Sequence, residues 1–494
     1  MEIMKKKYLI LFVLIAFFAS CTDKFEEFNT DVKSPTIVPG ESLFSYAQKE
    51  LSDQISSTNV NLNVWKLFAQ YWTETTYTDE ANYDIINRSI PDYTFREYYA
   101  GILKDFSEAQ KLIEARTPTG SVGDGPKEKA NKLAIIELLT VYSYQNLVDV
   151  FGNIPYTEAL DITNIAPKYD DAFTIYEDLL SRIDAALSNL DASAASFGAA
   201  DLYYAGNIES WKKFGNSLKV KLAVNLTDYD ETLSQSVMEA AAPLAFTSNA
   251  DNALMKYSSS SPNTNTLYED LVLSGRDDFV PANTIIDIMN TLGDPRMDQY
   301  FADKIDTSSE AGVEKLAYVG GVYGVPSDVA DYSHIGGTIF LPTFHGILLT
   351  YDEVLFYLAE GAARGFSVGG TVDELYDAAI TASILSWGGT AALATAYLAK
   401  PDVAYATAAG TWQEKIGTQE WIAHYTRGLE GYTSWRRLDF PVLNMSPTIS
   451  SYSEIPKRFT YPVNEQTLNK ANYTSASAAI GGDLLTTKLF WDKF

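Results

Sequence analysis

The hydrophobic positions along the chain recur mostly with the spacing of α-helices. In residues 173–190 the apolar side chains fall three or four positions apart, which places them on one helix face, and the aspartates at 170–171 can cap that helix. Residues 133–150 are apolar around most of the circumference, which is typical of a buried helix. Residues 348–364 and 372–387 predict two more helices joined by a glycine-rich turn. Because strand-like alternation is scarce, we predict a mainly α fold.

The remaining segments are long loops, and the longest covers residues 318–345. It contains several glycines with tyrosines and phenylalanines between them. A loop of this length with its own aromatic side chains is usually functional or disordered. No change in composition divides the chain beyond residue 40, so we predict a single α-helical domain over residues 41–494.

The first twenty residues have the pattern of an export signal. Three lysines at 5–7 precede an unbroken apolar run at 8–18, which is too short to span a bilayer as a helix. Two small residues follow, and then Cys21, the only cysteine. This order resembles the bacterial lipoprotein signal, in which the cysteine is acylated and becomes the mature N-terminus; the alternative is an ordinary cleaved signal with an incidental cysteine. We predict a signal peptide at 1–20, a lipid anchor at Cys21 and an acidic tether at 21–40.

Composition and charge exclude some partners and some chemistry. The chain has 37 Lys and Arg against 64 Asp and Glu, a net charge of −27, which disfavours nucleic acid as a partner. Together the 32 tyrosines and 8 tryptophans outnumber the 24 phenylalanines, and rings with a polar group suit surfaces that are half buried and half wet. The single cysteine excludes an intramolecular disulfide.

One catalytic motif is present, but its surroundings do not suit catalysis. Residues 365–369 match the GxSxG pattern of serine hydrolases, which needs a strand before the serine and a helix after it. The preceding residues 355–364 have a helical composition, so we interpret the glycines as a helix end and a turn. The sequence also lacks the common zinc, P-loop and EF-hand spacings, so we predict no metal and no cofactor.

Adjacent carboxylates are too frequent to identify a glycosidase. Three pairs could each be drawn as a general acid and base: Asp79 with Glu80, Asp277 with Asp278, and Asp352 with Glu353. Among 64 acidic residues such pairs arise by chance, and their separation in space cannot be read from sequence. A solvated acidic face is the competing interpretation of each pair.

The C-terminal quarter has the most recognisable pattern. Its blocks lie at residues 418–423, 428–432, 435–437, 455–462 and 482–492, and related blocks lie upstream at 149–156, 204–218, 276–296 and 351–365. Together these blocks resemble the SusD/RagB family of nutrient-binding outer-membrane lipoproteins, and the resemblance is closest to its SusD-like subgroup. We interpret the blocks themselves as scaffold, because Trp435, Arg436 and Arg437 are suited to helix packing and ion pairs.

The resemblance implies both a fold and a function. The implied fold is mainly α, with tetratricopeptide-like helix pairs packed against a loop-rich ligand-binding half. The implied function is non-catalytic capture of an oligosaccharide, or sometimes a peptide, for a SusC-like TonB-dependent outer-membrane transporter. The protein would then be lipid-anchored in the outer membrane and exposed at the cell surface. Two alternatives stay open: a surface glycoside hydrolase with an unrecognised carboxylate pair, and a purely structural lipoprotein associated with a transporter.

Aromatic side chains in loops are our candidates for the ligand site. A sugar presents apolar C–H faces and a rim of hydroxyls, so a ring that stacks, with a polar group beside it, suits it. The predicted stacking rings are Trp72, Tyr77, Tyr83, Tyr323 and Tyr332, and the predicted polar partners are Asp79 and Arg276. The alternative is that these rings pack on the core or form the transporter interface.

Overall fold

Helices dominate the structure, and the strands are short. The computed structural model describes residues 38–120, 125–308, 314–447 and 454–493. The predicted signal peptide, the anchor Cys21 and most of the predicted tether lie outside the described residues. Contacts group Gly40–Phe494 into one compact unit. Within the described ranges, no helix is both long enough and apolar enough to cross a bilayer.

The α-helices follow one another along the whole unit. They are α1 Gly40–Ser56, α2 Trp65–Phe68, α3 Ile90–Arg96, α4 Lys104–Ala115, α5 Pro126–Phe151, α6 Ala172–Asn189, α7 Ile208–Leu226, α8 Glu231–Ala241, α9 Thr266–Tyr268, α10 Asn283–Leu292, α11 Met297–Tyr300, α12 Tyr351–Ala363, α13 Val372–Ser386, α14 Ala391–Leu398, α15 Trp412–Ala423, α16 Gly428–Leu438, α17 Glu465–Leu468 and α18 Lys470–Ala479. Two π-helical turns, Glu97–Leu103 and Glu269–Leu273, continue from α3 and α9.

The strands form five separate two-stranded ladders, all antiparallel. They are β1 Trp72–Glu74, β2 Ile154–Pro155, β3 Tyr169–Asp170, β4 Ala253–Met255, β5 Phe279–Pro281, β6 Phe301–Ala302, β7 Ile305–Asp306, β8 Leu316–Ala317, β9 His334–Ile335 and β10 Gly346–Leu349. The pairs are β1 with β5, β4 with β10, β2 with β3, β6 with β9 and β7 with β8. These ladders fasten loops to each other and do not form a continuous sheet.

Consecutive helices pack against each other in pairs, as the sequence predicts. The pairs with extensive contacts are α5 with α6, α7 with α8, α12 with α13, and α15 with α16. The two helices of each pair are consecutive along the chain, which is the arrangement of tetratricopeptide-like repeats. The prediction of a mainly α fold is confirmed.

Local signals in the sequence account for individual helix ends. The side chain of Asp171 accepts a hydrogen bond from the backbone N–H of Thr174 at 3.0 Å, which caps the start of α6. Thr371 and Glu374 form a reciprocal capping box at the start of α13. Helix α5 is longer than the predicted 133–150 and is buried over most of its length, as the apolar circumference indicates.

Seven charged side chains are buried where four helices meet, and we call them the buried ion-pair network. They are Lys221 on α7, Glu353 and Glu360 on α12, Glu420 on α15, Arg427 just before α16, and Glu430 and Arg437 on α16. Arg437 binds Glu360 and Glu420, each at 2.9 Å. Buried charges persist only when they are paired, so the network joins the helix pairs through their cores.

Ionisation in the network follows from these pairings. Burial opposes the ionised form of Glu353, but Arg427 and Lys221 outweigh burial and lower the pKa of that carboxyl.

The neighbouring Arg436 donates hydrogen bonds to the backbone carbonyls of Asp149 and Lys457. The arginines of the C-terminal pattern are thus part of the scaffold, as predicted.

Candidate functional site

A polar cleft opens where β1 ends and β5 begins, and we call it the β1–β5 cleft. It has a volume of ≈ 300 Å³. Its lining comes from residues 58–61 after α1, from 74–77, from Arg88, and from 270–279. Residues 58–88 and the distant segment 270–279 therefore meet around one opening.

The ladder between β1 and β5 explains why these segments meet. Trp72 lies opposite Pro281 in the register, and Glu74 lies opposite Phe279. Beyond β1 the pairing continues, because the N–H of Thr75 donates to the carbonyl of Asp278 at 2.9 Å. The chain leaving β1 and the chain entering β5 therefore run side by side, with their next side chains at the cleft.

Tyr77 and Arg276 are the two predicted site residues that line this cleft. The Tyr77 side chain is 68% exposed, so its ring is open to solvent. The Nε of Arg276 pairs with Asp278 at 2.9 Å, which orients an otherwise exposed guanidinium. Phe279 adds a half-buried ring to the same wall.

The other side of the cleft consists of amides and hydroxyls. Asn59 and Asn61 are exposed there, and the Asn59 side-chain oxygen accepts hydrogen bonds from the backbone N–H and the side-chain amide of Asn61, each at 3.1 Å. Thr58, Thr76 and Ser274 complete this polar rim. A ring, a guanidinium and a polar rim in one opening match the two faces of a polyhydroxylated ligand.

A carboxyl pair lies in and behind the wall of the cleft. Glu74 lines the cleft and hydrogen-bonds Glu80, which is fully buried and pairs with Arg88. Burial raises the pKa of Glu74, and the charge of Glu80 raises it further. The N–H of Ala81 donates to Glu74 at 3.0 Å. Around neutral pH Glu74 therefore holds a proton.

Three of the predicted stacking rings are core residues, which corrects the sequence prediction. The side chains of Trp72, Tyr83 and Tyr323 are at most 1% exposed. The indole N–H of Trp72 donates to the hydroxyl of Tyr425 at 2.9 Å. The Tyr323 hydroxyl donates to the carbonyl of Leu67, also at 2.9 Å. These rings have no face available for a ligand, because the short strands and turns that carry them point them inward.

The remaining two predictions fall outside the cleft lining. Asp79 is exposed in the turn after β1, where its backbone carbonyl accepts hydrogen bonds from Asn82 and Asp84. Tyr332 is half-buried and follows a 3₁₀ turn at Val329–Asp331. Neither residue lines the cleft with Tyr77, so their role in ligand binding stays a prediction.

Comparison with known proteins places the chain in a family. Over residues 31–462 the sequence matches the SusD-like family described as "Starch-binding associating with outer membrane". The chain belongs to this SusD-like family. Among curated proteins, none is significantly similar to the sequence.

Solved structures of SusD-like proteins share the fold. A chitin-binding protein is 27% identical with a TM-score of 0.78, and the match covers 92% of this chain and 100% of that one. A chitin-binding SusD homologue from Flavobacterium johnsoniae is 23% identical with a TM-score of 0.76, over 92% and 98% of the two chains. A SusD homologue from Bacteroides uniformis is 23% identical with a TM-score of 0.76, over 92% and 99%. The predicted family and fold are confirmed.

The GxSxG segment of this SusD-like chain is a helix end, as predicted. Helix α12 ends at Ala363, and Gly365 and Gly369 both have positive φ angles of about 90°. The backbone N–H of Ser367 donates to Glu239, which fixes the turn. No strand precedes the serine in this described segment, so the geometry of a nucleophile elbow is missing.

The three carboxylate pairs of the sequence analysis divide between surface and core. Asp79 is exposed while Glu80 is buried against Arg88. Asp352 lines a separate cavity while Glu353 belongs to the buried ion-pair network. The third pair, Asp277 with Asp278, lies at the β1–β5 cleft, where Asp278 is bound by Arg276. Within the described parts of the chain, no group of three or more His, Cys, Asp and Glu side chains could hold a metal ion.

Several cleft residues were missed by sequence reasoning. Asn59 and Asn61 follow α1 in a polar segment that has no motif, and Arg88 has no signal of its own. Phe279 was noticed only as part of a family block. The sequence signal was a set of aromatic residues interleaved with polar ones over residues 72–83; the structure places Tyr77 in the cleft lining and Trp72 and Tyr83 in the core.

Proposed function

We propose that this SusD-like protein binds a nutrient oligosaccharide in the β1–β5 cleft, without catalysis, and delivers it to a SusC-like TonB-dependent transporter. In this proposal Cys21 carries the lipid that holds the protein in the outer membrane, at the cell surface. The observation that carries the proposal is the exposed ring of Tyr77 beside Arg276 and a rim of amides and hydroxyls.

The composition of the cleft suits a neutral, hydroxylated ligand. Tyr77 offers a face for the C–H side of a sugar ring, and Asn59, Asn61 and Arg276 offer hydrogen-bonding groups at the rim. The chitin-binding relative at 27% identity makes chitin oligosaccharides the first ligands to test. Peptides are the alternative ligand class, and the same assay includes them.

The carboxyls at the cleft argue for binding and against glycoside hydrolysis. Glycosidases separate their two carboxyl groups by roughly 5–10 Å so that the sugar and a water fit between them. Glu74 and Glu80 instead hydrogen-bond each other, and Glu80 is fully buried behind the wall. A substrate cannot enter between them, so this pair has the geometry of a structural support.

The decisive experiment is calorimetry with a panel of oligosaccharides that begins with chitin oligomers and includes peptides. Tyr77→Ala should lower the affinity for the identified ligand about 5–30-fold, because a good stacking ring contributes on the order of 1–2 kcal/mol to binding. The matched control is Tyr46→Ala, which removes an exposed tyrosine on α1 outside the cleft lining. Equal affinities of wild type and Tyr77→Ala would overturn the placement of the site.

Three further kinds of measurement test the rest of the proposal. Incubation of the ligand with the protein should give no product; turnover would favour the hydrolase alternative.

Intact-mass analysis should find acyl groups on Cys21, and Cys21→Ala should release the protein from the membrane. Pull-down from native outer membranes should recover a TonB-dependent transporter. A transporter recovered with a protein that binds no ligand would favour the purely structural alternative.

A further inference from the structure

A second cavity lies where helix α12 begins and helices α13 and α15 end. It has a volume of ≈ 390 Å³, which suits a small molecule. Its walls include Phe344, which precedes β10, and Trp387, which follows α13. They also include Tyr425 and Arg427, which follow α15. None of these side chains lines the β1–β5 cleft, so the two spaces are separate.

One carboxylate oxygen in the wall of this cavity has no hydrogen-bond partner among the residues that the structure describes. Asp352 lies in the first turn of α12 and is only 4% exposed. Its Oδ1 atom accepts no hydrogen bond from any residue that the structure describes. Burying a carboxylate without a partner is costly, and the helix N-terminus offsets that cost only in part. The cavity therefore contains an acceptor that a ligand could satisfy.

Arg427 in the cavity wall and Lys221 beside it in the buried ion-pair network are already paired. Arg427 binds Glu353 at 2.6 Å and faces Glu430 at 3.8 Å. Lys221 binds the same two carboxylates. Two cations and two anions therefore cancel, so neither cation is left as a counterion for Asp352.

The histidine in the wall does not supply that counterion. Burial lowers the pKa of His345, and the positive charge of Lys256 lowers it further. His345 is therefore neutral around neutral pH and does not act as a cation in the cavity wall.

Aromatic rings lie around the same space. The centroid of Trp387 is 6.1 Å from that of Phe344 and 6.4 Å from that of Tyr425. Ring faces of this kind attract organic cations. The Nε–H of Arg427 has no hydrogen-bond acceptor among the described residues, so the wall also contains an unused donor.

We propose that this cavity binds a small organic ammonium that also carries an oxygen acceptor. The ammonium donates to Asp352 against the ring of Trp387, and the oxygen accepts from Arg427. An amino sugar with a free amine and the free N-terminus of a short peptide both have this chemistry. The proposal does not rest on the function of the β1–β5 cleft, because it uses different residues.

The test measures binding of paired ligands to the mature protein by ligand-observed NMR and calorimetry. D-glucosamine is compared with N-acetyl-D-glucosamine, and alanylalanine with its N-acetylated form. We expect a free amine to bind on the order of 10-fold or more tighter than its acetylated partner, because acetylation removes a charge-assisted hydrogen bond. Whichever pair shows the difference identifies the source of the ammonium. Equal binding within both pairs, or no binding of either amine, overturns the proposal.

Variants separate this cavity from the cleft. Asp352→Asn keeps the shape of the side chain and should lower the affinity for the amine about 10-fold or more. Tyr77→Ala should leave that affinity unchanged. If Asp352→Asn does not fold, Trp387→Ala decides, because loss of the ring should also weaken the amine severalfold. Unchanged amine binding in a folded Asp352→Asn or Trp387→Ala variant would contradict the assignment.

Discussion

The β1–β5 cleft and the buried ion-pair network use arginine and carboxylate side chains in opposite ways. In the cleft, Arg276 and Asp278 pair at the edge of solvent. In the network, Arg437 and its partners Glu360 and Glu420 are almost entirely excluded from water. The first pair can exchange its partner for a ligand, whereas the second cannot separate without leaving buried charge unpaired.

The difference separates family pattern from ligand chemistry. The recognisable C-terminal blocks contain Arg436 and Arg437, which hold helices together and line none of the β1–β5 cleft. The cleft is lined by loop residues such as Tyr77 and Asn59, which belong to no recognisable block. A scaffold can therefore be identified from sequence while its ligand stays unknown, because the C-terminal blocks hold helices together and much of the cleft lining comes from loops outside the blocks.

The largest expected effect comes from breaking the network. Arg437→Ala leaves Glu360 and Glu420 buried without their shared cation, and it should lower the free energy of unfolding by about 3–5 kcal/mol. Denaturant unfolding measures this change. A loss below ~1 kcal/mol would show that the network is as weak as a surface pair.

A smaller loss of stability should follow from changing a buried ring of β1. Trp72→Phe removes the hydrogen bond to Tyr425 and leaves part of the indole volume empty, so we expect a loss of about 1–3 kcal/mol. Tyr77→Ala, five positions along the chain, should change stability by less than ~0.5 kcal/mol, because its ring is exposed. Similar unfolding midpoints for the two variants would contradict the assignment of one ring to the core and the other to the cleft.

The carboxyl pair predicts a pH dependence of stability. Burial and the charge of Glu80 raise the pKa of Glu74 above its ordinary 4.5, so the folded state binds a proton more tightly than the unfolded state does. The stabilisation is complete below pH 4.5 and is lost as the pH rises through the raised pKa. The side chain of the Glu74→Gln variant cannot titrate. Its free energy of unfolding should therefore fall less than that of the wild type between about pH 5 and pH 9, and the two falls should differ by an amount of order 1 kcal/mol or more.

A matched substitution checks that this effect belongs to the pair. Glu177→Gln changes an exposed glutamate on α6 and should leave the pH dependence of unfolding parallel to that of the wild type. Parallel curves for Glu74→Gln and the wild type would show instead that the proton is not held in the pair.

The smallest expected effect on stability comes from the cleft itself. Arg276→Ala removes an exposed ion pair with Asp278 and should change the free energy of unfolding by about 0.5 kcal/mol or less. The same substitution should lower the affinity for the oligosaccharide severalfold, as measured by calorimetry. A large loss of stability with unchanged affinity would place Arg276 in the scaffold.

The sequence by itself determined the helices and much of the fold. The period of apolar residues in α6 and the capping aspartate Asp171 are local signals, because the side chains and backbone groups involved lie within one or two helical turns. The turn after α12 was also predictable, since the glycines of residues 365–369 follow a helical stretch. The same kind of local pattern supported the assignment to the family.

Only the tertiary structure decided which rings and charges are accessible. Trp72 and Tyr77 stand in one short aromatic and polar segment, yet pairing with β5 buries the first and exposes the second. The meeting of Tyr77 with Arg276, and the absence of a hydrogen-bond partner for Oδ1 of Asp352 among the described residues, depend on segments that lie far apart along the chain. Contacts of this kind are set by how loops pack on the helices, and no local period in the sequence encodes that packing.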